Sequence, residues 1–344
     1  MRLLLTTFIG LFICSCQPNR SLIVPFTGVK VAPITIDSLS IRAIELMEGN
    51  LAFAANKSTF GMLDTQSMTF KANSLKGLEK PLEFRSVAHT NTNFFMLSVE
   101  NPAMLYKTGD SGQMELVYTE NEIGVFYDAM TFFDDKNGLA VGDAVGGCLS
   151  IIRTQDGGKT WKKSPCNSLP AGISDEGAYA ASNTNIKTIG SKAWVATTAG
   201  NIYYSQDFGA KWTRFKTPIT HDSIEAYGIY SIDFYNEKLG IAYGGSYLTP
   251  LDTFANIALT KDGGKNWNLV ASNDNPGYKS CVQYVPGTLG LGIVAIGFTG
   301  ISYSSDGGLN WITLSEEPFY TIRFKDSKTA FAAGRGRLAK LDFY

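Results

Sequence analysis

Short apolar runs of four to six residues, bounded by glycine, aspartate or asparagine, recur along the chain from about residue 40 to its end. Two clear pairs are Ala129-Met-Thr-Phe-Phe133 with Gly138-Leu-Ala-Val-Gly142, and Ser231-Ile-Asp-Phe-Tyr235 with Gly240-Ile-Ala-Tyr-Gly244. Runs this short, rich in β-branched and aromatic residues and punctuated by turn formers, predict strands rather than helices. The same paired layout recurs at 41–46 with 51–55, 84–89 with 94–98, 186–189 with 193–197, and 281–284 with 292–297. A last unit, 320–324 with 330–333 and 338–343, brings the number of units to seven.

A second repeat follows the first. Thr154-Gln-Asp156-Gly-Gly158-Lys-Thr-Trp161, Ser205-Gln-Asp207-Phe-Gly209-Ala-Lys-Trp212, Thr260-Lys-Asp262-Gly-Gly264-Lys-Asn-Trp267 and Ser304-Ser-Asp306-Gly-Gly308-Leu-Asn-Trp311 share one pattern, the Asp box. Thr108-Gly-Asp110-Ser-Gly112 is a weaker copy without the Trp, and Asp64 marks a weaker one still. The aspartates at 64, 110, 156, 207, 262 and 306 lie 46, 46, 51, 55 and 44 residues apart, the size of a four-stranded propeller blade. The motif makes sense as a hairpin. Its carboxylate accepts turn N–H groups, its glycine supplies a positive φ, and its Trp buries a ring between blades. Asp110, Asp156, Asp207, Asp262 and Asp306 are therefore expected to be structural, and their spacing is not that of a calcium loop.

The expected fold is all-β: one domain, residues 17–344, forming a seven-bladed β-propeller with Asp-box hairpins. The blades fall near 38–78, 81–122, 125–168, 176–218, 226–272, 278–315 and 318–344. The last has three strands before Tyr344, so the apolar stretch 21–31 is expected to complete it and remove the free sheet edges.

Residues 1–16 are read apart from the fold. Arg2 precedes an apolar run from Leu3 to Ile13, the length of a signal-peptide core and too short to span a bilayer. The run ends in Ile13-Cys14-Ser15-Cys16, which resembles the lipobox of bacterial lipoproteins, making Cys16 the expected lipid attachment site. This places the protein at the cell envelope, anchored to a membrane; Gln17 after the cysteine favours the outer one.

Composition narrows the partners. With 30 Lys plus Arg against 31 Asp plus Glu, the chain has no general field to draw nucleic acid, and partner choice must be local. His89 and His221 are its only histidines, and no CxxC pair follows the leader, so no metal site is expected. No GxGxxG opens a helix and no GxSxG elbow occurs, so no cofactor is expected either. Cys148 and Cys166 lie nine residues either side of Gly157, across one hairpin, and a disulfide between them is plausible in an oxidising compartment. Cys281, on an inner strand, is expected to be a buried free thiol.

The segments Phe84-Arg-Ser-Val87, Phe126-Tyr-Asp-Ala-Met130, Gly142-Asp143, Glu176-Gly-Ala-Tyr-Ala-Ala-Ser182, Gly228-Ile-Tyr-Ser231 and Gly277-Tyr-Lys-Ser280, in this order, resemble the photosystem II stability and assembly factor type of propeller. The resemblance covers nearly the whole mature chain. It implies seven blades and an assembly or scaffold role, with no photosystem partner carried over. The enzyme rival is a sialidase-like glycan hydrolase, which also carries Asp boxes. Phe84-Arg85 matches the start of its Phe-Arg-Ile-Pro motif, but the proline is absent, that family has six blades, and its arginine triad cannot be assigned.

Binding is expected at the channel mouth away from the Asp boxes. Aligned inner strands bring Arg42, Arg85, Asp128, Ala178, Tyr230, Ser280 and Tyr320 to equivalent positions, with Glu176, Tyr227 and Lys279 close by. The loops after the second strands add Asn101, Asp143, Tyr247 and Arg335. Such a rim of charged and aromatic residues suits a protein, a polar ligand or a glycan, bound by a monomer.

Overall fold

The computed structural model describes residues 24–109, 111–173, 176–221 and 226–344. Cys16, Asp110 and residues 21–23 of the expected closing strand lie outside them. Seven antiparallel sheets form a ring. In each, the first strand lines the channel and the fourth lies outermost; the first blade runs Ala43–Met47, Asn50–Ala54, Thr59–Asp64 and Phe70–Ser74. The innermost strands touch their neighbours in chain order, and Thr321–Phe324 of the seventh blade returns to Ala43–Met47 of the first.

The seventh blade is closed by an N-terminal strand, Val29–Ser40, which pairs from Val29 opposite Phe343 to Thr35 opposite Arg337. It overlaps the expected 21–31 only at its start. Val29, Val31 and Ile34 turn their apolar side chains inward, and Pro33 is tolerated because, among the described residues, no strand pairs with the outer edge. The long strand Thr329–Phe343 supplies both middle strands. It turns back at Gly334–Gly336, so that the Phe343 N–H donates to the Lys328 carbonyl.

The core is not one mass but seven slabs, one between each pair of neighbouring blades. Leu51, Phe53 and Leu63 of blade 1 meet Phe331 and Leu338 of blade 7, for example, and Val141 and Ile151 of blade 3 meet Val195 and Tyr203 of blade 4. Each fully buried Leu, Ile or Phe contributes on the order of 2 kcal/mol from burial. The box tryptophans serve these slabs. Trp161 lies edge-on to Phe95 of the preceding blade at 6.3 Å, and Trp311 lies edge-on to Tyr243 at 5.8 Å.

The box chemistry is uniform. Thr154 Oγ1 donates to Asp156 Oδ1 at 2.8 Å and accepts the Gly158 N–H at 2.9 Å, while Asp156 Oδ1 accepts the Thr160 N–H at 2.9 Å. The boxes at Asp207, Asp262 and Asp306 repeat this. In the Asp262 box, the Asn266 N–H is the largest influence holding the carboxyl below the usual carboxylate range. Box backbones also bond the first turn of their own blade, Gly157 N–H to Lys136 O and Gly263 N–H to Lys238 O. Because successive strands reverse direction, this puts the boxes at Asp156, Asp207, Asp262 and Asp306 on one face. The approaches to the first strands and the second-strand loops lie on the other.

Cys148 and Cys166 are joined by a disulfide with 5.6 Å between Cα atoms, and Cys281 is a buried free thiol.

Candidate functional site

Blade 4 departs from the repeat. Residues 176–185, which include the aligned Ala178, form no strand; the blade begins at Ile186–Ile189, where the paired runs predict it. The segment crosses the channel instead and plugs it. Asn183 Oδ1 accepts the Met130 N–H at 2.9 Å, and its Nδ2 donates to the Val87 carbonyl at 2.8 Å. Ser182 Oγ donates to the Ser280 carbonyl at 2.6 Å, and the Ser182 carbonyl accepts from Thr321 Oγ1 at 3.0 Å. The Ile232 N–H donates to the Thr184 carbonyl. Five blades are thereby bonded to one strap. The reason is that an innermost strand faces the channel with an unpaired edge, whose buried N–H and C=O groups need partners.

The plug floors a basin of about 410 Å3 on the face opposite the Asp boxes. Arg42, Arg85, Tyr230, Tyr247 and Tyr320 line it, brought together from four blades. Tyr179, Ala180, Ala181, Tyr278 and Phe298 line it too, and the sequence reading had not picked them out. Tyr179 and Tyr278 lie one and two positions from Ala178 and Ser280, the residues that the strand alignment singles out. Ala178 belongs to the plug, and Ser280 is buried, donating to the Tyr320 carbonyl at 2.7 Å.

A backbone device aims several of these side chains. The pairing of first and second strands slips by one residue at Arg85 in blade 2, at Asp128 in blade 3 and at Tyr230 in blade 5. A bulge inserts one unpaired residue and redirects its side chain. Three blades use it at the same level.

The basin is cationic and aromatic. The Arg42 guanidinium lies 4.1 Å from the Tyr320 ring centre. Burial, and then the neighbouring Arg85, pull its pKa below the ordinary value. Arg42 Nε is buried without a hydrogen-bond partner among the described residues. Arg85 is occupied by Glu83, Nε to Oε1 at 2.7 Å. Opposite them, Tyr179 stacks on Tyr230 with centroids 3.8 Å apart, and Tyr278 meets Tyr230 edge-on at 4.7 Å.

Other residues expected at the mouth lie elsewhere. Glu176 is buried inside blade 4, accepting from Thr197 Oγ1, Asn201 Nδ2 and Tyr203 Oη; it roots the plug rather than facing the channel. Lys279 is buried beneath the second-strand loop of blade 6, where Nζ donates to the Thr299 and Gly300 carbonyls and to Thr299 Oγ1. Burial brings its pKa down to about 8. Tyr227 Oη donates to Asp252 Oδ2 and shares a hydrogen bond with Thr249 Oγ1 in the blade 5 loop, and Arg335 is exposed at the blade 7 turn. Asp143 braces the plug by accepting the Ala178 N–H; a Cβ on Gly177 would come within 1.9 Å of its Oδ1 and would have to displace the carboxylate.

Asp128 is fully buried near Asp143. Burial first, then Asp143, hold its carboxyl well above the usual range, against the pull of Arg85. Asp128 is fully buried and neither carboxylate lines the basin, whose wall is the arginine–tyrosine surface. Among the described residues, no cluster of three His, Cys, Asp or Glu could hold a metal ion.

A family model described as Sortilin, neurotensin receptor 3, matches residues 149–282, less than half of the chain. No curated protein matches. Among solved structures, YCF48 bound to D1 peptide is 13% identical with a TM-score of 0.66, covering 92% of this chain and 96% of that one. YCF48 from Cyanidioschyzon merolae is 14% identical with a TM-score of 0.65, covering 92% and 99%. The WD40 repeats of RRP9 are 11% identical with a TM-score of 0.66, covering 93% and 99%. At such identities the likeness is one of fold: the chain is built like these proteins, as a seven-bladed β-propeller.

Proposed function

We propose that this protein is a non-catalytic binding propeller of the cell envelope, tethered through Cys16, whose basin captures a carboxylate-bearing segment of another protein. The observation that carries the reading is the buried, unpartnered Nε of Arg42 beside a second arginine. A buried N–H without a partner costs about 1–3 kcal/mol, and Arg85 beside it adds a repulsion that Glu83 offsets only in part. An anionic group in the basin relieves both. The tyrosines around it offer flat apolar surface with a polar tip, the mixture that anchors peptides at interfaces. A structure of the same fold bound to a peptide supports a protein partner over a small molecule. The assembly or scaffold role follows from the same reading, since a propeller that holds a segment without reacting with it acts by positioning it.

The test is crosslinking in intact cells followed by identification of co-purified proteins from the membrane fraction, a fraction that Cys16→Ser should leave. Arg42→Ala with Arg85→Ala should abolish capture and leave the fold intact. Asp262→Ala, in a box on the opposite face, should loosen a turn and leave capture unchanged. A folded double arginine variant that captures every partner at the wild-type level refutes the proposed site.

A further inference from the structure

The spacing of 55 residues between Asp207 and Asp262 is the longest in the repeat. The surplus lies in the second-strand loop of blade 5, residues 247–256. The corresponding turns of blades 1 to 4 are short and polar or glycine-rich: Asn56-Lys-Ser58, Asn101-Pro102, Gly146-Gly147 and Thr198-Ala-Gly200. The blade 5 loop instead exposes Tyr247 at 46%, Leu248 at 61%, Leu251 at 83% and Phe254 at 57%.

This loop is pinned. Tyr227 Oη lies 2.6 Å from Thr249 Oγ1 and donates to Asp252 Oδ2 at 2.7 Å. The Tyr278 N–H donates to the Pro250 carbonyl, and Asn256 Nδ2 donates to the Asp252 carbonyl at 2.7 Å. A loop held this firmly keeps large apolar side chains in water by construction, not because it is loose. Clustered apolar side chains on an ordered surface mark an interaction site.

Position decides the occupant. Tyr247 belongs both to the loop and to the wall of the arginine basin, and the Tyr278 segment that the loop grips is also basin wall. The apolar strip is therefore continuous with a concave, cationic cavity. A lipid surface reached by a protruding loop would leave that cavity without a role. An extended chain that sets a carboxylate beside Arg42 and passes Tyr247 meets both features, with charge matched at one end and apolar surface at the other.

We infer that the blade 5 loop is a docking strip for the apolar side chains of an extended peptide whose carboxylate occupies the arginine basin. The inference rests on the basin reading above and goes beyond it by naming the partner as a segment with large apolar residues next to its acidic group or C-terminus.

A library of randomised octapeptides with free C-termini, selected on the purified protein, separates the two claims. The expected enrichment is for a carboxylate within a few positions of at least two large apolar residues. Leu248→Ser, Leu251→Ser and Phe254→Ser together change only exposed side chains. This variant should lose the apolar preference, weakening the best wild-type peptide by roughly tenfold or more while still selecting acidic peptides. Arg42→Ala with Arg85→Ala should lose the acidic preference. Acidic enrichment with no apolar preference on the wild type overturns the strip and leaves the basin standing. No enrichment at all overturns both. Binding of the wild type to phosphatidylcholine–phosphatidylglycerol vesicles, abolished by the triple loop variant, assigns the strip to a membrane and overturns the inference.

Discussion

Asn183 is the pin of the channel plug, and replacing it gives the sharpest test of the architecture. Its amide is buried and pairs with the Met130 N–H and the Val87 carbonyl, on the inner strands of blades 3 and 2. Asn183→Ala leaves both groups buried without partners, at about 1–3 kcal/mol each before the surroundings relax. The residue also sits at φ 59°, a left-handed conformation that asparagine tolerates and alanine resists, adding about 1 kcal/mol. The expected loss is about 3 kcal/mol, a large share of the 5–15 kcal/mol typical of a whole domain. Urea denaturation followed by tryptophan fluorescence measures it. Asn183→Gly separates the causes, since it removes the amide while keeping the backbone conformation cheap, and should recover about 1 kcal/mol. Tyr179, Ala180 and Ala181 line the basin just before the pin, so peptide affinity should fall in both variants. Stability of Asn183→Ala within about 0.5 kcal/mol of wild type would refute the idea that the strap fastens the ring.

The remaining predictions concern the disulfide and Lys279. The bridge closes a separation of 18 residues, so Cys148→Ser with Cys166→Ser should cost about 3 kcal/mol, and reductant should bring wild type to the level of the variant. If reductant lowers both equally, the loss comes from elsewhere. Lys279 has a pKa of about 8 in the fold against about 10.4 in an unfolded chain. Between those values the unfolded state binds more protons, so stability should rise with pH, by up to about 1.4 kcal/mol per unit, while below pH 8 the burial cost is constant. Lys279→Met should flatten the slope between pH 8 and 9.5 in urea melts; an unchanged slope would place the titration on another group.

Local chemistry in this chain is written in local sequence. The Asp box is a hairpin whose hydroxyl, carboxylate, glycine and Trp all act within eight residues, so Thr154 to Trp161 reads the same in any context. Its repetition sets the blade period, and the paired apolar runs bring the blades to seven. The apolar pairs mark the two inner strands of each blade for the same reason, because both of their faces are buried between neighbours. Arg42, Arg85, Tyr230 and Tyr320 were placed at one mouth by that periodicity alone.

Only the tertiary structure decided the rest, wherever one blade uses another. Glu176 and Lys279 look like rim charges in an aligned repeat, yet their partners come from later strands and a neighbouring loop, which bury them. Ala178 falls at an inner-strand position in the aligned repeat, yet residues 176–185 serve as a plug, because the unpaired inner edges of five blades converge on them. The closing strand, Val29–Ser40, takes its register from the inward side chains that fit against Thr329–Phe343, a partner some 300 residues away. The unpartnered Nε of Arg42 is of the same kind: the sequence holds the arginine, but its burial beside Arg85 and Tyr320 exists only once the ring has closed.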